Sequence, residues 1–114
     1  MDNLLHVRLR ALNPELKHDR EYKIRLGIDL FRHWYVVITF GRYASWGTSK
    51  TNLFNTREEA YEFINAKLRR RLSSPKRIGC SYQIVSFEGA KEILETMSNN
   101  MIDRFSWFSI SGTR

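Results

Sequence analysis

The sequence predicts an α+β domain: an antiparallel sheet of four to five strands, a helix packed on one face, and a C-terminal helical and apolar extension. Three observations predict it. Segments in which apolar and polar residues alternate crowd into residues 5–54. A single capping-box signature then opens a stretch of helical spacing. Strands come first and helices later, which argues against a doubly wound parallel sheet. At 114 residues the chain has the length of one domain, enough to bury a modest core without metal or disulfide staples.

The elements follow in order. Leu5, Val7, Leu9 and Ala11 alternate with His6, Arg8 and Arg10, the pattern of a half-buried strand with a basic outer face. Asn13-Pro14 and the charged stretch through Arg20 read as a loop. Tyr22, Ile24 and Leu26 alternate with Lys23 and Arg25 and predict a second strand. Gly27 to His33 is a connection anchored by Leu30 and Phe31. Trp34 to Phe40 is a third strand, apolar on both faces and therefore internal. Gly41 to Gly47 forms a turn, and Thr48 to Phe54 a fourth strand. Thr56-Arg57-Glu58-Glu59 places an N-cap Thr three residues before a Glu. From there Ala60, Phe63, Ile64, Leu68 and Leu72 fall on one helical stripe, ended by Ser73-Ser74-Pro75. Tyr82 to Phe87 predicts a fifth strand at an edge. Glu88 to Asn99 has helical spacing at Ile93, Leu94 and Met97. Met101 to Ile110 is rich in Met, Phe and Trp and is expected to fold back over the sheet. We divide the chain into a module, residues 1–85, and an extension packed on it, residues 86–114.

Charge narrows the function. The net charge is +7, a balance that favours polyanions, nucleic acid first. It is uneven: residues 1–82 carry 16 Lys/Arg against 8 Asp/Glu, and residues 83–114 carry 3 against 4. Cys80 stands alone, so it has no internal disulfide partner and fits a reducing compartment. Met1 is followed at once by Asp2, without the cationic and apolar regions of a secretory signal, and no apolar run approaches a bilayer span. These features predict a soluble, cytoplasmic protein with no membrane partner. His6, His18, His33 and Cys80 lack metal-ligand spacing, and no nucleophile elbow, Walker loop or dinucleotide fingerprint occurs. Neither an enzyme nor a cofactor or metal is expected.

An ordered set of motifs resembles the WGR domain. It comprises Asn13-Pro14, Tyr22, Asp29-Leu30-Phe31 followed by Trp34, the corner Phe40-Gly41-Arg42, Gly47, Ser49-Lys50-Thr51, Arg57-Glu58-Glu59-Ala60, and the basic helix end Lys67, Arg69, Arg70 and Arg71. The resemblance spans Leu4 to Tyr82. Phe40 replaces the signature Trp of the family. The family is best known as a DNA-binding module of poly(ADP-ribose) polymerases that respond to strand breaks, in which the corner aromatic packs on sugar near a DNA end and basic residues hold phosphate. The resemblance therefore implies that Phe40 supplies a packing surface and Arg42 a charge contact, and it carries over no catalysis.

The residues add further candidates. Tyr43 and Trp46 lie within the Gly41–Gly47 turn, where rings stack on bases or sugars without reading sequence. Arg42 and Lys50 stand at its two ends as a paired phosphate clamp. Lys67, Arg69, Arg70 and Arg71, extended by Lys76 and Arg77, form the strongest basic run, and cations there also suit the helix C-terminus. The expected function is a non-enzymatic module that holds a sugar–phosphate backbone, DNA rather than RNA, near ends or breaks with little sequence specificity. The alternative is a protein-interaction adaptor that docks through the C-terminal aromatics Phe105, Trp107 and Phe108.

Overall fold

The computed structural model describes residues 3–74, 79–98 and 101–108. Lys76, Arg77, Asn99 and Ile110 lie outside the described residues. Five strands form one antiparallel sheet: β1 (Asn3–Asn13), β2 (His18–Ile28), β3 (Trp34–Arg42), β4 (Thr48–Phe54) and β5 (Gln83–Gly89). Their order is β4-β3-β2-β1-β5, so the first four form a meander and β5 returns to the free side of β1. Helix α1 (Arg57–Leu72) lies between β4 and β5 in the chain, and the short helix α2 (Lys91–Ser98) comes after β5.

Register explains which face is apolar. Leu9, Tyr22, Phe40 and Thr48 form one cross-strand row, and Leu26, Val36 and Asn52 another. Side chains of one parity (Leu5, Val7, Leu9, Tyr22, Ile24, Leu26, Val36 and Ile38) are buried, while His6, Arg8, Lys23 and Thr39 alternate onto the other face. Ala60, Ile64 and Leu68 of α1 belong to the same buried cluster, joined by Ile93, Met97, Ile102 and Phe105. The rings of Phe54 and Phe63 meet with centroids 5.1 Å apart, where α1 passes the end of β4.

The helix begins where the capping pattern places it. The Thr56 hydroxyl accepts from the Glu59 amide at 3.2 Å, and the Glu59 carboxylate accepts from the Asn55 amide at 3.1 Å. Thr56→Ala removes the first of these bonds and should cost about 1 kcal/mol. The expected drop in thermal midpoint is roughly 4 °C, measurable by circular dichroism.

Three expectations need correction. The stretch through Arg20 is not all loop. Pro14–Leu16 makes one 3₁₀ turn, Lys17 takes a left-handed conformation at φ 58°, and β2 starts at His18. Charged residues here favour pairing with β1: Arg10 binds Asp19 through two bonds of 2.8 Å, and Arg8 binds Glu21 at 3.0 Å. The second helix starts at Lys91 rather than Glu88, because Phe87–Gly89 stay paired with β1. Gly89 has φ 151°, and a side chain there would collide with the Leu4 carbonyl. Finally, Leu30 and Phe31 do not anchor the β2–β3 connection: both stand in solvent, because the loop is closed by its own polar bonds to Asp29. Strand β5 runs across residue 85.

The segment after α2 meets the β5 edge at Ile84. Ile84 donates to the Ser106 carbonyl at 2.8 Å, and Phe108 donates to the Ile84 carbonyl at 2.7 Å. Ile102 and Phe105 enter the core, while Trp107 remains 58% exposed.

Candidate nucleic-acid interface

The corner is a tight crossing of two glycines. Gly47 sits at φ 68°, where a Cβ would lie 2.8 Å from the Phe40 oxygen. A Cβ on Gly41 would lie 2.9 Å from the Gly47 Cα. Only residues without a side chain let the two strands approach this closely. Between them, the Arg42 carbonyl accepts from the Ser45 amide at 3.1 Å and from its hydroxyl at 2.7 Å, with Ala44 at φ 63°. The Tyr43 amide ties the turn to β2 by donating to the Asp19 carbonyl at 2.9 Å.

Phe40 is placed by this corner at the end of the apolar face, 38% exposed, between two hollows that it helps to line. The first hollow is a cleft of about 240 Å³ between β3, β4 and the last turns of α1. Lys50 and Asn52 enter it from β4, Lys67, Arg70 and Arg71 from α1, and Tyr22, Ile38 and Phe63 complete the lining. Lys67 and Arg71 are one helical turn apart, so both reach the same side. Four cations line the cleft, and no acid does among the described residues. Aromatic rings position two of them: Arg71 lies 4.3 Å from the Tyr22 ring centroid and 5.7 Å from that of Tyr82, and Lys67 lies 5.0 Å from that of Phe63. The Arg71 Nε is buried without a hydrogen-bond partner, a donor that the described residues leave unsatisfied.

The second hollow, about 380 Å³, lies on the other side of Phe40 and is lined by Lys17, His18, Asp19, Arg20, Arg42 and Thr48, among others. Arg20 and Arg42 are direct cross-strand partners. Like charges in this position repel, by roughly 0.2–1 kcal/mol, and an anion between them would remove the penalty. Asp19 does little to offset them, since its carboxylate is committed to Arg10; that bond is the main reason its pKa lies below the usual range.

Sequence reasoning grouped nine residues, and the structure separates them. Phe40, Lys50, Lys67, Arg70 and Arg71 meet in the first cleft, and Arg42 lies in the second hollow with Phe40. Arg69 is exposed on α1 and is not among the lining residues of either. The Tyr43 ring is covered by the Arg10 guanidinium at 3.5 Å, so it buttresses the turn. Trp46 is 98% exposed. The basic strand residues Arg8, Arg10 and Lys23 lie on the opposite face of the sheet from Tyr22 and pair there with Glu21 and Asp19, so they do not extend the cleft. Lys17, Arg20, Tyr22 and Asn52 were missed. Two of these had a signal: Arg20 shares the parity of Tyr22, and Asn52 that of Lys50.

Among the described residues no three His, Cys, Asp or Glu side chains gather as a metal site. Cys80 is buried, which pushes its thiol pKa up and away from nucleophilic use. No helix among the described residues is long and apolar enough to cross a membrane. Comparison with curated proteins gives no match. The sequence profile of the WGR domain matches residues 5–74, more than half of the chain, and the chain belongs to the WGR domain family.

Proposed function

We propose that this domain is a non-enzymatic module that binds the sugar–phosphate backbone of nucleic acid, DNA in preference to RNA, near ends or breaks and with little sequence specificity. The observation that carries this reading is the cleft beside Phe40, with four cations and no acid among its described lining residues. Low-dielectric aromatic walls and charge of one sign concentrate positive potential there, the complement of a phosphate chain. In this reading Phe40 packs on sugar between the two hollows. Lys50, Lys67, Arg70 and Arg71 take phosphates on one side, and Arg42 with Arg20 takes one on the other. The exposed Trp46 ring is a stacking surface beside the corner. The aromatic tail is a weaker candidate for docking, because Ile102 and Phe105 are already buried in the core.

Titration of labelled duplexes by fluorescence anisotropy tests the proposal. Five phosphate contacts give a slope of log K on log salt of about −4.5, and so a loss of roughly 500-fold between 50 and 200 mM salt. Duplexes with and without a nick, the matching RNA, and the Phe40→Ala variant complete the series. Steep salt dependence, tighter binding to the nicked DNA, and weakening by Phe40→Ala are expected. No binding at 50 mM salt would sink the nucleic-acid reading, and binding indifferent to Phe40 would remove the corner from it.

A further inference from the structure

The end of the molecule away from the basic cleft carries a different surface. Trp34 and Phe40 lie six residues apart on β3, or about 20 Å at ~3.3 Å per residue, so features beside Trp34 belong to the opposite pole. There, the β2–β3 loop holds two large apolar side chains in solvent, with Leu30 87% and Phe31 80% exposed. This exposure is built in. The Asp29 carboxylate accepts from the Phe31 amide at 2.9 Å and the His33 amide at 2.8 Å, and its other oxygen lies 3.2 Å from His33 Nδ1. Backbone bonds from Asp29 to His33 and from Arg32 to Asp29 close the loop, with Arg32 at φ 68°. A loop braced in this way presents its apolar pair at little entropic cost on binding.

Beside the tip is a hollow of about 630 Å³ between the start of α1, the start of α2 and the strand ends. Leu4, Ile28, Trp34, Tyr61 and Ile93 give it an apolar floor, and its rim carries Arg57 and Lys91 with Glu58 and Glu92. The rim is therefore charge-balanced on a chain whose net charge is +7.

We propose that this pole is a self-association surface, on which the Leu30-Phe31 tip of one copy enters the Trp34-lined hollow of a second copy and the second returns the contact. Three features select another copy of this chain. Tip and hollow are complementary and lie side by side, as a twofold contact requires. Arg32 at the tip matches Glu92 on the rim, whereas Glu58 is already paired with Arg57 at 3.4 Å. Two strongly basic molecules approach each other at least cost through a face of no net charge. The surface is independent of the nucleic-acid reading and stands whether or not the cleft binds phosphate. In such a dimer the two basic clefts would lie at the poles away from the contact.

Sedimentation velocity from 1 to 500 µM, at 0.15 and 0.5 M salt, tests this directly. A concentration-dependent dimer that persists at the higher salt is expected. Leu30→Ser with Phe31→Ser should move its midpoint at least tenfold to higher concentration without lowering the thermal midpoint, since both side chains are already in solvent. Glu92→Arg removes the pair from both halves of the twofold contact and should weaken the dimer by up to about thirtyfold, and adding Arg32→Glu should restore it. A monomer across the whole range overturns the proposal. So does a dimer indifferent to the Leu30 and Phe31 substitutions, which would place the contact elsewhere.

Discussion

Reversing two lysines together, Lys50→Glu and Lys67→Glu, should weaken nucleic-acid binding by about 10²- to 10⁴-fold, the largest functional effect we expect. The two residues come from different elements, β4 and α1, yet line one cleft. Each loses a charge-assisted contact of roughly 1.5–3 kcal/mol, so two cost about 3–6 kcal/mol before any repulsion is counted. The cleft would then hold two cations and two acids instead of four cations. The salt slope should also flatten by about one unit per lysine, a signature that misfolding alone would not give. Arg8→Glu is the control. It changes charge on the opposite face, where Arg8 already pairs with Glu21 at 3.0 Å, and its effect on binding should be several-fold at most. Equal losses from the control and the double variant would show that net charge, rather than the cleft, drives binding. Both proteins should be compared at matched ionic strength, because exposed charges are screened within about 10 Å at 0.1 M salt.

Leu68→Ala should produce the largest loss of stability, about 2–5 kcal/mol. Leu68 is fully buried on α1 and belongs to the single core cluster shared by both helices and the sheet. Truncation removes apolar area and leaves a void, because a close-packed core relaxes only in part around a lost side chain. The thermal midpoint should fall by roughly 8–20 °C, as followed by circular dichroism. The same substitution acts on the site, since Lys67 and Arg71 flank Leu68 on the last turns of the helix. A change below about 1 kcal/mol would mean that α1 is not seated on the core through Leu68.

How much of this was legible beforehand differs from element to element. The first four strands could be read because alternation with period two reports a half-buried sheet directly: Leu5 to Ala11 and Tyr22 to Leu26 show it without interruption. The N-cap of α1 could be read because Thr56 and Glu59 act within four residues of each other. The beginning of β2 was hidden. His18, Asp19 and Arg20 look like loop residues until Arg10 stands opposite to bind Asp19. The beginning of α2 was hidden for a similar reason, since only pairing with β1 holds Phe87 to Gly89 extended.

The candidate site divides in the same way. A corner of aromatic, glycine and arginine, a second glycine six residues on, and a basic helix end are local patterns, and they determined the family and the residue types available for phosphate. Which of those residues share a surface is a matter of long-range register. Sheet parity puts Arg8, Arg10 and Lys23 on the face opposite Tyr22, while the end of α1 brings Lys67 and Arg71 beside Lys50, which lies seventeen positions or more away in the chain. The sequence therefore determined a small, basic, α+β domain of this family. Only the tertiary structure decided that Phe40 lines two cationic hollows and that the Arg10 guanidinium stacks on Tyr43. It also decided that an apolar tip stands at the opposite pole. Local chemistry is written in neighbouring residues, but the meeting of distant ones depends on strand order and on how the core packs.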